Sequence, residues 1–256
     1  MRRRKFSWST VYLIFVFILL YIPIFYLIFY SFNQGGNMSS FTGFTWEHYQ
    51  SLFSDSRLIS IVVQTFVLAF LSALLATIIG TFGAMGIYYT RKRNSRNVLL
   101  GLNNILMVSP DVIIGASFLI LFTMLGGVLK NFQLGFVSVL LSHIAFSIPI
   151  VVLMVLPKLK EMNDSMIDAA RDLGANNFQV LSNIILPFLT PGIIAGYFMA
   201  FTYSLDDFAV TFFVTGNGFT TLSVEIYSRA RQGISLEINA LSTLVFIFSR
   251  LLVVGY

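Results

Sequence analysis

The chain has 256 residues and a formal net charge of +5; 57% of its residues are hydrophobic, only 11% are charged, and the mean hydropathy is +0.83. Soluble domains carry about a quarter charged residues, so a water-soluble fold is excluded, and at roughly 20 apolar residues per span, five to seven membrane helices would occupy nearly the whole chain. With no cysteine there is neither a disulfide framework nor a thiolate metal site, and the positive balance fits basic loops beside a membrane better than nucleic-acid binding.

The first apolar stretch, Val11 to Phe32, follows Arg2, Arg3, Arg4 and Lys5. A secretory signal begins in the same way, but Tyr21 to Tyr30 is too bulky for a cleavage site, so a retained helix is expected. Further spans are expected at Leu58–Tyr89, Val98–Leu125, Leu134–Leu156, Phe188–Val214 and Ile238 to the C-terminus. Gly126, Gly127, Lys130 and Asn131 mark a short turn, and Thr215–Glu237 a polar loop. The expected fold class is therefore an all-α integral membrane protein with six transmembrane helices. Residues 1–57 form the first helix and its outer loop, and residues 58–256 the main transmembrane domain.

With the N-terminus inside, eleven Lys and Arg fall in inside segments and four in outside loops, which places both termini in the cytoplasm. The sixth span stops at Tyr256 with no basic anchor, an ending that suggests a further short cytoplasmic tail. Trp8, Trp46, Tyr88 and Tyr89 read as interfacial anchors, and Pro23 and Pro149 as kinks.

Residues 157–187, between the fourth and fifth spans, are the most charged stretch. Ser165 with Asp168 three positions on reads as a capping box opening a short helix, Met166 to Leu173. Gly174 ends it in a left-handed conformation, and Asn176 or Asn177 caps a second helix carrying Phe178, Leu181 and Ile185 on one face. Such a cytoplasmic helix-turn-helix packs either on its own membrane domain or on a partner protein.

Asp168-Ala169-Ala170, Gly174, Ile184 and Leu186-Pro187 stand at the spacing of the coupling-loop signature of ABC importer permeases, with Asp168 for the usual Glu. Around it, Arg171-Asp172-Leu173-Gly174-Ala175, the run Phe201 to Phe208 and Phe213-Val214-Thr215-Gly216 resemble the second permease of polyamine importers, over about residues 60 to 250. The resemblance implies a bacterial cytoplasmic membrane protein working with a second permease subunit as a heterodimer, an ATPase subunit dimer and an extracytoplasmic substrate-binding protein. ATP and Mg would sit on the ATPase and no cofactor on this chain. It further implies that Asp168, Ala169, Ala170, Gly174, Ile184, Leu186 and Pro187 couple to the ATPase. The alanines allow close approach to a groove, Gly174 the sharp turn, and Leu186-Pro187 re-entry into the membrane.

Asp111, Asp206 and Asp207 fall inside expected spans, roughly 20–27 Å from the cytoplasmic boundary. A carboxylate in hydrocarbon is costly unless paired or wetted, so these three, with Tyr203 in the same stretch, are candidates to line a pathway for an organic polycation. Adjacent helical positions differ by about 100°, so Asp206 and Asp207 cannot point at one spot; one should line the pathway and the other cap or bond a neighbour. A helix-break cap remains open for Asp206, and a half-helix cap for Asp111, which follows Pro110. His143 reads as a helix–helix hydrogen-bonder. The Gly-x-Gly-Asp context of intramembrane aspartyl proteases is missing, and no phosphate-binding loop is present, so the chain is not itself the ATPase. Alternatives are a permease for another small solute and an ion-coupled secondary transporter; the latter predicts a repeat between halves that the motifs do not show.

Overall fold

A computed structural model describes residues 8–36, 38–128, 132–232 and 236–255, with the side chains of 232, 249 and 251–255 left aside. The basic start at residues 2–5, the turn residues Lys130 and Asn131, and Tyr256 lie outside the described residues. The helices are α1 Trp8–Tyr30, α2 Glu47–Ser54, α3 Ser56–Tyr89, α4 Arg93–Val108, α5 Asp111–Val128, α6 Phe136–Glu161, α7 Ser165–Asp172 and α8 Asn177–Val180. A π-helical turn, Leu181–Ile185, then leads into α9 Leu186–Asp206, followed by α10 Ala209–Val214, α11 Leu222–Gln232 and α12 Leu236–Gly255. Among the described residues there is no strand beyond one isolated bridge, Asn33 to Phe44.

Five helices among the described residues are long and apolar enough to cross a membrane: Trp8–Tyr30, Ser56–Tyr89, Asp111–Val128, Phe136–Glu161 and Asn177–Asp206. The region expected to give the sixth span holds a shorter apolar stretch, Leu236–Phe248. Two expected spans are interrupted. Val98–Leu125 is split between α4 and α5 because Pro110 has no N–H and forces Ser109 out of the helical region, to φ −71° and ψ 139°. Phe188–Val214 is split between α9 and α10 at Asp207, whose ψ of 122° ends the helix.

Two compact units are present. The first comprises the described residues of 1–60 and 225–256. Its Phe32, Phe44, Trp46 and Tyr49 form an aromatic cluster, beside which the buried Ser31 and Tyr49 hydroxyls lie 2.7 Å apart. Arg250 of α12, expected within the last span, donates to the Tyr21 hydroxyl of α1 and lies over the Tyr21 and Phe246 rings, so its charge is partnered by both helices. Arg229 donates to Asp55 at 3.0 Å and to Glu225 at 2.8 Å, and Glu225 also receives Arg57 at 3.3 Å.

The amide of Leu58, and after it the Arg229 guanidinium, holds the Asp55 carboxyl below its ordinary value of 3.8 against the opposing effect of burial. A folded pKa below the unfolded one stabilises fully above the ordinary value and is lost as pH falls through the folded one. Thermal stability should therefore drop on acidification below about pH 4, and less steeply in Asp55→Asn, as thermal denaturation scans across pH would show.

The second unit spans residues 61–224 and is built on α3, α6 and α9. In a membrane, helices associate through close packing rather than through burial from water, so small residues line the seam. Ala73, Ala76 and Ala84 of α3 and Ala200 of α9 are buried with Val151, Val152, Val155 and Leu159 of α6. A Cβ at Gly80 would stand 2.7 Å from the Val151 Cβ and 3.1 Å from the Ile148 carbonyl oxygen. Gly80→Leu should destabilise by about 1–3 kcal/mol, visible as a lower Tm of the purified protein in detergent. A second cluster joins Ile114 and Phe122 of α5 to Val139 and Phe146 of α6 and Val210 and Val214 of α10.

Candidate functional site

The loop signature runs through α7, its turn, α8 and the π-helical turn into the first residues of α9. Helix α6 runs past the expected loop start at residue 157 and ends at Glu161. The capping box expected from Ser165 and Asp168 does not form; the Asn163 side chain accepts from the Ser165 amide at 3.1 Å instead, a local turn that an Asn two positions earlier makes readily. Gly174 has φ +86°, and the amides of Gly174 and Ala175 return to the carbonyls of Arg171 and Ala170 at 2.9 and 3.0 Å. This conformation disfavours any residue with a Cβ. Asn176 and Gln179 cap each other's amides at 2.9 and 2.8 Å, which starts α8.

Ile167, Val180 and Ile185 are buried and fasten this hairpin to the second unit. Of the signature residues, Asp168, Ala169, Gly174 and Pro187 are exposed, and Ala170, Ile184 and Leu186 half-buried. Phe178, Leu181 and Ile185 do not share one free face: Phe178 is 75% exposed, whereas Leu181 and Ile185 pack inward. A π-helical turn, wider than an α-helical one, follows at Leu181–Ile185. The outward apolar surface is Met166, Leu173 and Phe178, with Leu173 at 90% exposure. Leu173 escaped sequence reasoning, although an apolar residue directly before a helix-ending glycine was a visible signal.

The membrane carboxylates sit at the two helix breaks of the second unit. Asp111 is the first residue of α5, where the Pro110 carbonyl caps the amides of Ile113 and Ile114, and its Oδ1 accepts from the Tyr203 hydroxyl at 3.1 Å. The α5 and α9 candidates are thus brought together, both exposed. Asp206 ends α9 with its side chain exposed, and among the described residues no hydrogen bond or ion pair engages it. Asp207 faces inward with 8% of its side chain accessible. Its carboxylate accepts from the Val210 amide at 3.3 Å, the Thr211 amide at 2.8 Å and the Thr211 hydroxyl at 2.7 Å. Asp207 is therefore the one that caps, closing the open amides of α10, and Asp206 the one left unpaired among the described residues.

His143 of α6 is fully buried behind this break, with Nδ1 2.7 Å from the Ser204 hydroxyl and Nε2 2.9 Å from the Thr211 hydroxyl. It joins helices by hydrogen bonds, as read from the sequence, but its partnership with Asp207, 3.4 Å from Nε2, carried no sequence signal. Among the described residues no group of three or more His, Asp or Glu is placed to hold a metal ion.

Residues 76–256 match the family described as binding-protein-dependent transport system inner membrane component. The chain is 37% identical over 250 residues to the spermidine/putrescine transport system permease protein PotC of Haemophilus influenzae, covering 98% of this chain and 95% of the relative. It is 39% identical over 240 residues to PotC of Escherichia coli K12, covering 94% and 89%. The putrescine transport system permease protein PotI of the same strain is 35% identical, with 93% and 85% covered. Among solved structures, a bacterial ABC transporter involved in import of the acidic polysaccharide alginate aligns with TM-score 0.74 at 18% identity, covering 97% of this chain and 91% of that one. The MetNI methionine ABC transporter in an inward-facing form aligns with TM-score 0.60 at 18% identity, covering 78% and 94%. Matched to the family over residues 76–256 and 35–39% identical to these relatives over nearly its whole length, the chain belongs to the inner-membrane components of binding-protein-dependent transport systems, the permeases of ABC importers.

Proposed function

We propose that this chain is one permease of a polyamine importer, moving spermidine or putrescine across a bacterial cytoplasmic membrane. The observation that carries the cargo is the exposed Asp206 carboxylate at the α9 break, unpaired among the described residues, in a chain whose relatives at 37–39% identity are named for spermidine and putrescine. A protonated amine supplies the opposite charge such a carboxylate needs inside a membrane protein. The Asp111–Tyr203 pair adds a second anionic position and an aromatic face for a methylene-linked dication.

In this reading α12 completes a sixth span and both termini lie in the cytoplasm. Residues 1–57 form the first span and outer loop, and residues 58–256 the permease domain with a second permease as its partner. The hairpin of residues 157–187 docks on an ATPase dimer that binds ATP and Mg. Its outward Leu173, Phe178 and Met166 fill the ATPase groove, and Asp168, Ala169, Ala170 and Gly174 set how closely the backbone approaches. An extracytoplasmic binding protein delivers the cargo. ATP-driven closure of the ATPase pair moves the hairpins and opens the pathway outward; hydrolysis returns it.

Substrate-stimulated ATP hydrolysis by the reconstituted importer tests the cargo. Spermidine and putrescine should stimulate it, and butane-1,4-diol, equal in chain length to putrescine but uncharged, should not; equal stimulation by the diol overturns the polyamine assignment.

A further inference from the structure

His143 lies outside every motif of the family resemblance and is among the largest fully buried side chains of the protein. Its surroundings fix where its proton sits. The Thr211 hydroxyl has one hydrogen and stands 2.7 Å from the Asp207 Oδ2, which as a carboxylate oxygen only accepts. That hydrogen goes to Asp207, so the Thr211 oxygen must accept from the ring at 2.9 Å, and Nε2 carries a proton. On the other side Nδ1 stands 2.7 Å from the Ser204 hydroxyl, which meets the Ser72 hydroxyl at 2.9 Å, and Ser72 also reaches the Ala69 carbonyl at 3.1 Å. Hydrogen bonds thus run in a line from Ser72 of α3 through Ser204 of α9 and His143 of α6 to Thr211 and Asp207 at the α10 start, with Nε2 donating to Thr211 whether or not Nδ1 also carries a proton. A neutral ring protonated on Nδ1 would leave Nε2 and Asp207 competing for the single Thr211 hydrogen.

The same ring also lies behind the second pathway group. Its centroid is 4.8 Å from that of Phe146, and Phe146 meets Tyr203 edge-on at 5.0 Å, with the Tyr203 hydroxyl on Asp111. We propose that His143, protonated on Nε2, is a positioning residue for the cargo site: by holding Thr211 and Asp207 it fixes the α9–α10 break, and so places Asp206 and Tyr203. It touches no substrate itself. This inference rests on the cargo site proposed above and adds the residue that sets its geometry.

The test is spermidine uptake by the complete importer across substrate concentration, in His143→Leu, His143→Gln and Thr211→Val. Gln carries an N–H donor about where Nε2 lies, and Leu carries none. Half-saturating spermidine should rise about tenfold or more in His143→Leu and Thr211→Val, with maximal rate changed less than about twofold, and about threefold or less in His143→Gln. Unchanged half-saturation in His143→Leu, or His143→Gln as impaired as His143→Leu, overturns the proposal. Should His143→Leu fail to assemble, Thr211→Val and the 15N resonances of labelled His143 in the unaltered importer decide. A proton on Nε2 is expected; a bare Nε2 contradicts it. If Asp206→Asn transports normally while the Nε2 tautomer is observed, the cargo site is wrong and the hydrogen-bond relay stands; normal uptake in His143→Leu beside impaired Asp206→Asn removes only the role of His143.

Discussion

In Asp206→Asn, spermidine uptake at sub-saturating concentration falls roughly ten- to a hundredfold, the effect of losing one charge-assisted hydrogen bond, while the importer still assembles. Assembly should survive because Asp206 is exposed and bonds nothing among the described residues, so neutralising it leaves no buried group unsatisfied. The adjacent substitution behaves differently. Asp207 accepts from two amides and one hydroxyl in a site where only 8% of the side chain is accessible. In Asp207→Asn the amide NH2 turns one accepting corner into a donor facing the α10 amides, so the loss is in folding, about 1–3 kcal/mol. Uptake kinetics, with expression and ATPase co-purification measured beside them, separate the two: Asp206→Asn reaches the membrane assembled and transports poorly, and Asp207→Asn yields less assembled importer. Equal uptake by Asp206→Asn and the unaltered protein would remove the charge argument for a cationic cargo.

The second large effect is expected at Gly174. Its φ of +86° lies where a Cβ collides with the chain's own backbone, and nothing else stands within 4 Å of that Cβ, so the strain is local. Gly174→Val should reshape the turn after α7 and displace Leu173 and Phe178 by a few Å while the spans stay folded. Transport and ATPase co-purification should be lost, with membrane insertion and Tm of the isolated permease nearly unchanged. Gly174→Asn, whose side chain tolerates the left-handed region, should retain a substantial part of both. Normal uptake in Gly174→Val would mean that the turn geometry does not matter to the ATPase contact.

What could be read from the sequence was local. Apolar runs locate the spans because each must fill the hydrocarbon with its own hydrogen-bonded backbone. Gly174 and Asn176 declare a helix end and start because their effects reach only three or four residues. A break stood open at both interrupted spans, as a half-helix starting at Asp111 after Pro110 and as a helix-break cap at Asp206, but the residue that caps the second break was not legible. Nothing in Phe201 to Phe208 marks Asp207 over Asp206 as the cap; the choice is made by Thr211 and by His143, which lies 68 residues from Thr211 and 61 from Ser204. Periodicity also assumed 3.6 residues per turn through Leu181–Ile185, where the backbone instead makes a π-helical turn.

The most direct measurement is uptake of radiolabelled spermidine into proteoliposomes holding this permease with its second permease and ATPase, with ATP enclosed on the ATPase side and the binding protein outside. Uptake should require ATP and the binding protein, persist when the proton gradient is collapsed, and fall in Asp206→Asn. Uptake that continues without ATP and follows the proton gradient would contradict the account.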